Sequence, residues 1–461
     1  MANMKSKILF FTFTLLTTAS LFAQTSEKGW QNLFNGKDLT GWKRLGGKAD
    51  FRVEDGIIVG RTVANSRNTF LVTEKEYADF ILEADVWVED EEGNSGLQTR
   101  SHFDPAAFGG EGKVYGRQCE IDPSPRRWTG GVYDEGRREW LYPMQLNAPA
   151  QNVYKKGVYN HFRVECIGNE MKTWVNGIAT AYVVDTLDVK GFIGLQVHAV
   201  KSEDHAGKKV CFKNIRIQTT DLKPTAFPLN VYVVNFVPNT LTSYEKKDGW
   251  RLLFDGKTNK GWQSAKRNSF PEKGWVISNG NITVLSGEGK EATNGGDIVT
   301  NEQFAAFDLS FEFRLTPGAN SGVKYFVTLD EDSQGSAIGL EYQVLDDSLH
   351  PDAKLGRDGN RTLASLYDLI KAEKEKRFLR PIGQWNFGRI IVYPNNKVEH
   401  YLNGVKVLEY IRGSKQYRDL VAISKYVIWK NFGEAVKGHI LLQDHGNEVS
   451  YRSIKIKELK W

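Results

Sequence analysis

Two short stretches of the chain carry an acid and an amide on alternate residues. They are Gly116-Arg117-Gln118-Cys119-Glu120-Ile121-Asp122 and Gly339-Leu340-Glu341-Tyr342-Gln343-Val344. Both read as strands, where alternate residues share a face, so Gln118, Glu120 and Asp122 point together, as do Glu341 and Gln343. Aligning the glycines sets Glu341 opposite Gln118 and Gln343 opposite Glu120, the same pair in swapped order. A buried face tolerates such groups only with partners, whereas a sugar-binding concavity wants them. Ordinary polarity on an exposed strand is the competing reading. A second pair is Gln196 with His198, matched by Gln443 with His445. Histidine titrates near neutrality unaided, which suits general acid–base work.

Further candidates surround these. Asn94-Ser95-Gly96 is followed by Gln98 and Arg100, and Asn320-Ser321-Gly322 by Lys324, which brings a cation to each corresponding strand. Tyr133-Asp134 corresponds to Tyr367-Asp368. The catalytic candidates are therefore Glu341 and His445, with Glu120 and His198 as counterparts. Gln343, Lys324, Gln443, Tyr367, Gln118, Gln98, Arg100, Gln196 and Tyr133 are candidates for holding a substrate. Asp346, Asp347, His350 and Asp352 form a polar loop whose residue types suit a divalent ion, against the plainer reading of a surface loop. No other cofactor is implied. The chain has no G-x-S-x-G elbow, P-loop, dinucleotide-binding glycine fingerprint or H-E-x-x-H.

The elements that must position these residues occur twice. Trp30-Gln31-Asn32-Leu33-Phe34-Asn35-Gly36-Lys37 recurs as Trp250-Arg251-Leu252-Leu253-Phe254-Asp255-Gly256-Lys257, and Gly41-Trp42 as Gly261-Trp262. The matches keep their order through Val175-Asn176-Gly177 and Leu402-Asn403-Gly404, so the chain is a tandem duplication. In the stretch 307–315, Leu309, Phe311, Phe313 and Leu315 share one parity, the signature of a half-buried strand. Asn-Gly pairs at 35–36, 176–177, 279–280 and 403–404 predict tight turns. An all-β fold of two jelly-roll sandwiches follows. The expected organisation is a first sandwich over 24–218, a Pro-containing linker over 219–247 and a second sandwich over 248–461. One helix is expected over 363–378, where Leu366, Leu369 and Ile370 make an apolar face.

Composition narrows the class. Lys5 and Lys7 precede the uncharged run 8–23, which reads as a secretory signal peptide cut before Gln24. The run is shorter than the ~20 residues a spanning helix needs, so the expectation is an exported, soluble, periplasmic or secreted protein. With 61 Lys and Arg against 56 Asp and Glu, nothing favours nucleic acid or an anionic membrane. Cys119, Cys166 and Cys211 lack metal-type spacing and read as buried small residues. The oligomeric state has no signal in the sequence.

Taken together, these motifs resemble the 3-keto-disaccharide hydrolase family, whose domain has the concanavalin A-like lectin/glucanase sandwich. The second half carries Leu253-Phe254-Asp255-Gly256-Lys257, Glu341-Tyr342-Gln343-Val344-Leu345-Asp346, His350-Pro351-Asp352 and Leu442-Gln443-Asp444-His445-Gly446. The first carries Asn94-Ser95-Gly96-Leu97-Gln98-Thr99-Arg100 and Tyr133-Asp134-Glu135-Gly136. The resemblance implies cleavage of glycosides whose sugar is oxidised to a ketone at C3. The alternatives are a non-catalytic glycan-binding protein and a conventional β-glucan hydrolase. The latter needs two carboxyls ~5–5.5 Å apart if retaining, and Pro125 stands where the first copy would need its last acid.

Overall fold

The computed structural model describes residues 28–291, 293–329 and 337–460; the proposed signal peptide lies outside them. Three of the four Asn-Gly pairs expected to make tight turns close hairpins. Asn176 and Gly177 take φ of 51° and 80° between strands Glu170–Val175 and Ile178–Val184. Asn279-Gly280 and Asn403-Gly404 do the same. Asparagine and glycine tolerate this left-handed backbone, and the resulting turn matches the twist of paired strands. Asn35-Gly36 instead makes a loop in which Asn35 Oδ1 accepts from the Lys37 and Asp38 amides.

The fold is all-β, with two sandwiches in tandem. The first pairs a nine-stranded with a seven-stranded sheet, and the second an eight-stranded with a five-stranded sheet. The seven-stranded sheet runs Glu139–Tyr142, Val132–Glu135, Lys113–Ile121, Ser95–Asp104, Gly191–Val197, Thr69–Tyr77 and Trp42–Gly46. The five-stranded sheet repeats its last five members as Ile338–Leu345, Asn320–Thr328, His439–Leu442, Ile298–Thr300 and Trp262–Ser264. Alternation divides each strand between core and outer face. Leu97, Cys119, Ile121 and Leu195 pack into the first core, and Val323, Tyr325, Leu340, Tyr342 and Leu442 into the second. The opposite parity carries the polar candidates. All three cysteines are free and buried.

The linker does more than connect. Val234–Asn235 adds a parallel strand beside Val183 and Val184. Tyr232 is buried; its carbonyl accepts from Tyr142 in the first domain, and its hydroxyl donates to Ser310 in the second, 3.0 Å each. This covering explains why strand Phe307–Leu315, expected to be half buried, is buried on nearly every residue. Its polar face is neutralised in place: Asp308 takes two bonds from Arg389, and Glu312 pairs with Arg452.

The expected helix over 363–378 does not form. Ala364 and Asp368 have φ of 64° and 60°, and Leu366 bridges to Tyr342 and Ile370. Edge pairing to the site strand wins over helical periodicity here. Among the described residues, no helix is long and apolar enough to cross a membrane.

Candidate functional site

In the second domain the strand register assembles the site. Lys324 lies directly opposite Glu341, and Gly322 opposite Gln343, on neighbouring antiparallel strands. Gly322 is required for space: a Cβ there would sit 2.3 Å from Glu341 Oε1, so the carboxylate lies across the bare backbone. Lys324 Nζ stands 4.0 Å from Glu341 Oε2 and donates to the Ala337 carbonyl at 3.0 Å. Both residues are 5 % exposed. They border a cavity of about 660 Å³ that Asn320, Gln343, Gln443, His445, His350, Tyr367, Lys425 and Trp429 also line. All six second-domain candidates thus meet at one cavity.

The cavity is electrostatically prepared. Burial raises the Glu341 pKa, and Lys324, Lys425 and His445 pull it back down. A carboxyl raised by desolvation and flanked by cations is suited to taking up and giving back a proton. Lys425 Nζ also packs 4.3 Å from the Tyr367 ring. Tyr367 donates to Asp352 at 2.8 Å, and burial keeps its hydroxyl protonated. The His445 ring stands edge-on to His350, centroids 5.8 Å apart. Among the described residues, three buried atoms around the cavity find no hydrogen-bond partner: Asn320 Oδ1, Gln443 Oε1 and His445 Nδ1. Such atoms are costly unless a polar ligand satisfies them.

The polar loop is committed elsewhere. Asp346 accepts from Ser348, Leu349 and Gly318, and Asp347 from Leu363 and Lys374. Asp352 accepts from Arg361 and Tyr367, and His350 caps the turn Pro351–Lys354. Among the described residues, no group of three or more His, Cys, Asp or Glu is arranged to hold a metal ion.

The first domain repeats the frame with different contents. Gln98 lies opposite Gln118 and Gly96 opposite Glu120, so Gln98 occupies the place of Lys324. Ser101 Oγ donates to Gln98 Oε1, Gln98 Nε2 to Gln118 Oε1, and Gln118 Nε2 to Glu120 Oε2. Asn94 Nδ2 closes the series on Glu120 Oε1 at 2.6 Å. Burial pushes Glu120 up to about 7, against these two amides. Tyr133 pairs with Gln118 from the next strand. Gln196 is fully buried, and its Oε1 finds no partner among the described residues. His198 donates Nδ1–H to the Ala199 carbonyl at 2.7 Å, and burial lowers its pKa.

Arg100 does not join this group. It sits on the strand irregularity between Thr99 and His102, with φ 47°, where Phe326 (φ 53°) stands in the second domain. Its guanidinium is 1 % exposed and donates to the carbonyls of Ala78, Gly168 and Asp188 and to Asp79. The bulge turns it to the domain's structural interior, which counting residues after Asn-Ser-Gly could not foresee.

Sequence reasoning missed Lys425, Trp429 and Glu135. The first two come from the segment after helix Lys415–Ala422, which has no counterpart in the first half. That unmatched segment was the available signal. Glu135 accepts from Asn68, lies 3.5 Å from Gln196, and is pushed up to about 6 by burial.

Comparison with known proteins gives a consistent pattern. A family model described as a 3-keto-alpha-glucoside-1,2-lyase-like domain matches residues 29–218 and again 249–457. A 3-keto-disaccharide hydrolase from Bacteroides thetaiotaomicron is 38% identical over 233 residues, 46% of this chain and 79% of that protein. Among solved structures, a provisionally assigned glycosyl hydrolase from Parabacteroides distasonis is 28% identical with a TM-score of 0.42, covering 48% of this chain and 100% of its own. The carbohydrate-binding module CBM66 of Bacillus subtilis is 19% identical with a TM-score of 0.28, covering 39% and 96%.

Proposed function

Both halves of this chain belong to the 3-keto-α-glucoside-1,2-lyase-like family, and from that premise we propose that the second domain cleaves 3-keto-glycosides by proton abstraction at C2. The observation that carries the reading is Glu341: a buried carboxylate on a cavity wall, opposite a lysine, among polar atoms that lack partners. The C3 ketone acidifies the C2 proton. Glu341 takes that proton; the C2–H electron pair moves into an enolate at C3, and Lys324 or Lys425 stabilises the oxyanion. The enolate then expels the C1 substituent, and His445 gives a proton to its departing oxygen. Addition of water to the resulting enone completes a net hydrolysis. Gln343, Gln443 and Tyr367 orient the ring through its hydroxyls.

For the first domain we read sugar contact or scaffolding without this chemistry. An amide stands where the second domain has its acid, and another where it has its lysine. Export ahead of Gln24 belongs to the same proposal, and sequencing the N-terminus of the mature protein tests it.

The deciding experiment uses a chromogenic β-glucoside and its 3-keto derivative, each with and without EDTA. Release of the aglycone only from the keto compound is expected. Release from the unoxidised glucoside at a comparable rate supports a conventional glycosidase instead. Saturable glycan binding with no release from either compound supports a binding protein.

A further inference from the structure

The second-domain cavity has two unlike walls. On the sheet side stand Asn320, Lys324, Glu341, Gln343 and Gln443, each at most 5 % exposed. Two of the atoms without partners, Asn320 Oδ1 and Gln443 Oε1, are on this side. That inventory of donors and acceptors suits one sugar ring with its ketone and hydroxyls. On the loop side, Leu355, Ile428 and Trp429 form an apolar patch at the outer end of the lining, beyond the polar His350, Asp352 and Lys425. Leu355 follows the turn Pro351–Lys354, while Ile428 ends the turn Lys425–Ile428. These two are 55% and 76% exposed, so they mark the mouth.

Branched aliphatic side chains brought to one cavity by separate loops, and left in water there, gain free energy when an apolar group covers them. They offer nothing to the hydroxyl-rich edge of a second hexose. Tryptophan alone would serve a sugar face or an aryl ring equally; the leucine and isoleucine beside it favour the aryl ring. Resting on the reading that the sheet side takes a 3-keto ring, we propose that the loop side is an aglycone subsite. It selects 3-keto-glucosides with an aromatic or otherwise apolar leaving group over 3-keto-disaccharides.

The test compares 3-keto-4-nitrophenyl glucoside with 3-keto-cellobiose on the wild-type protein and on Leu355→Ser, Ile428→Ser and the double variant. Both positions are exposed, so folding is retained. The aryl substrate should have the higher kcat/KM, and the double variant should raise its KM about tenfold while leaving the disaccharide unchanged. A wild-type preference for the disaccharide, or equal effects on both substrates, overturns the subsite. Calorimetric binding of unoxidised phenyl glucoside against cellobiose separates this from the chemistry. A preference for phenyl glucoside that the double variant abolishes supports the subsite even if no keto-glycoside is cleaved. Its absence overturns the subsite even if cleavage occurs.

Discussion

The two domains put the same pair of strands to opposite uses. Each has a glycine opposite one polar residue, a second cross-strand pair one pleat along, and a strand irregularity two residues later. In the first domain these positions hold Gly96 with Glu120 and Gln98 with Gln118. In the second they hold Gly322 with Gln343 and Lys324 with Glu341. Moving the acid by one pleat changes its company. Glu120 accepts from two amides, and a hydrogen-bonded series of neutral groups fixes its geometry. Glu341 faces lysines across a cavity, so its charge is held by ions that a substrate can share. The surroundings diverge in step: the first sheet continues into the hairpin Val132–Glu135 and Glu139–Tyr142, while the second stops at an edge and receives a loop and Lys425 instead. A duplicated backbone therefore fixes where chemistry can occur, and the residue facing the acid decides whether it does.

The largest expected effect tests that division directly. Glu341→Gln should lower kcat/KM on a 3-keto-glucoside by about 10³-fold, the usual scale for losing a general acid–base group. Glu120→Gln should change it by less than about threefold. If steady-state rates on the two variants fall together, the domains share one function and the comparison collapses.

Glycine substitutions sharpen it next. Gly322→Ala places a methyl 2.3 Å from the Glu341 carboxylate, and the displaced base should cost about 10²-fold in kcat. Gly96→Ala meets the Gln118 amide at 2.0 Å. It should cost about 1–3 kcal/mol of stability through overpacking with the turnover of the other domain intact. Kinetics paired with thermal melts distinguish the two; equal losses of kcat would contradict the assignment.

Lys425 gives a smaller, directional effect. It lowers the Glu341 pKa, so Lys425→Met should move the acidic limb of the pH–rate profile to higher pH. The accompanying loss in rate should be about tenfold, and Lys425→Arg should restore the limb. An unmoved limb would mean that Lys425 is not electrostatically coupled to the base.

Much of this was legible in the sequence, because period-two alternation and internal matching are direct consequences of strand geometry. Glu341, Gln343 and Lys324 meet because their spacing puts them on one face of paired strands, and Gln443 with His445 arrives through the repeated Gln-x-His. Arg100 was misplaced because a bulge breaks the alternation, and a bulge leaves no mark in residue type here. The segment 363–378 mimicked a helix because Leu366, Leu369 and Ile370 are spaced as a helical face. Only tertiary pairing to Tyr342 decides otherwise. Lys425 was missed for a third reason: it reaches the cavity from an insertion, which marks the segment as unusual but gives no repeat to align its residues against.

The smallest predicted effect concerns stability rather than rate, and it measures how neutral the first site is. Burial raises Glu120 from its ordinary 4.5 to about 7 in the fold, so the folded state binds the proton more tightly than the unfolded chain. The resulting stabilisation is complete below pH 4.5 and is lost as pH rises through 7. Replacing the acid by an amide removes that dependence. Between pH 5 and pH 8 the melting temperature of the first domain should therefore fall less in Glu120→Gln than in the wild type. A net difference of about 1 kcal/mol corresponds to about 2–4 °C for a domain of this size. If the gap between the two proteins stays constant across that range, Glu120 is already ionised in the fold. The first domain would then hold a charged acid without a facing lysine, and the distinction between the two sites would rest on cations alone.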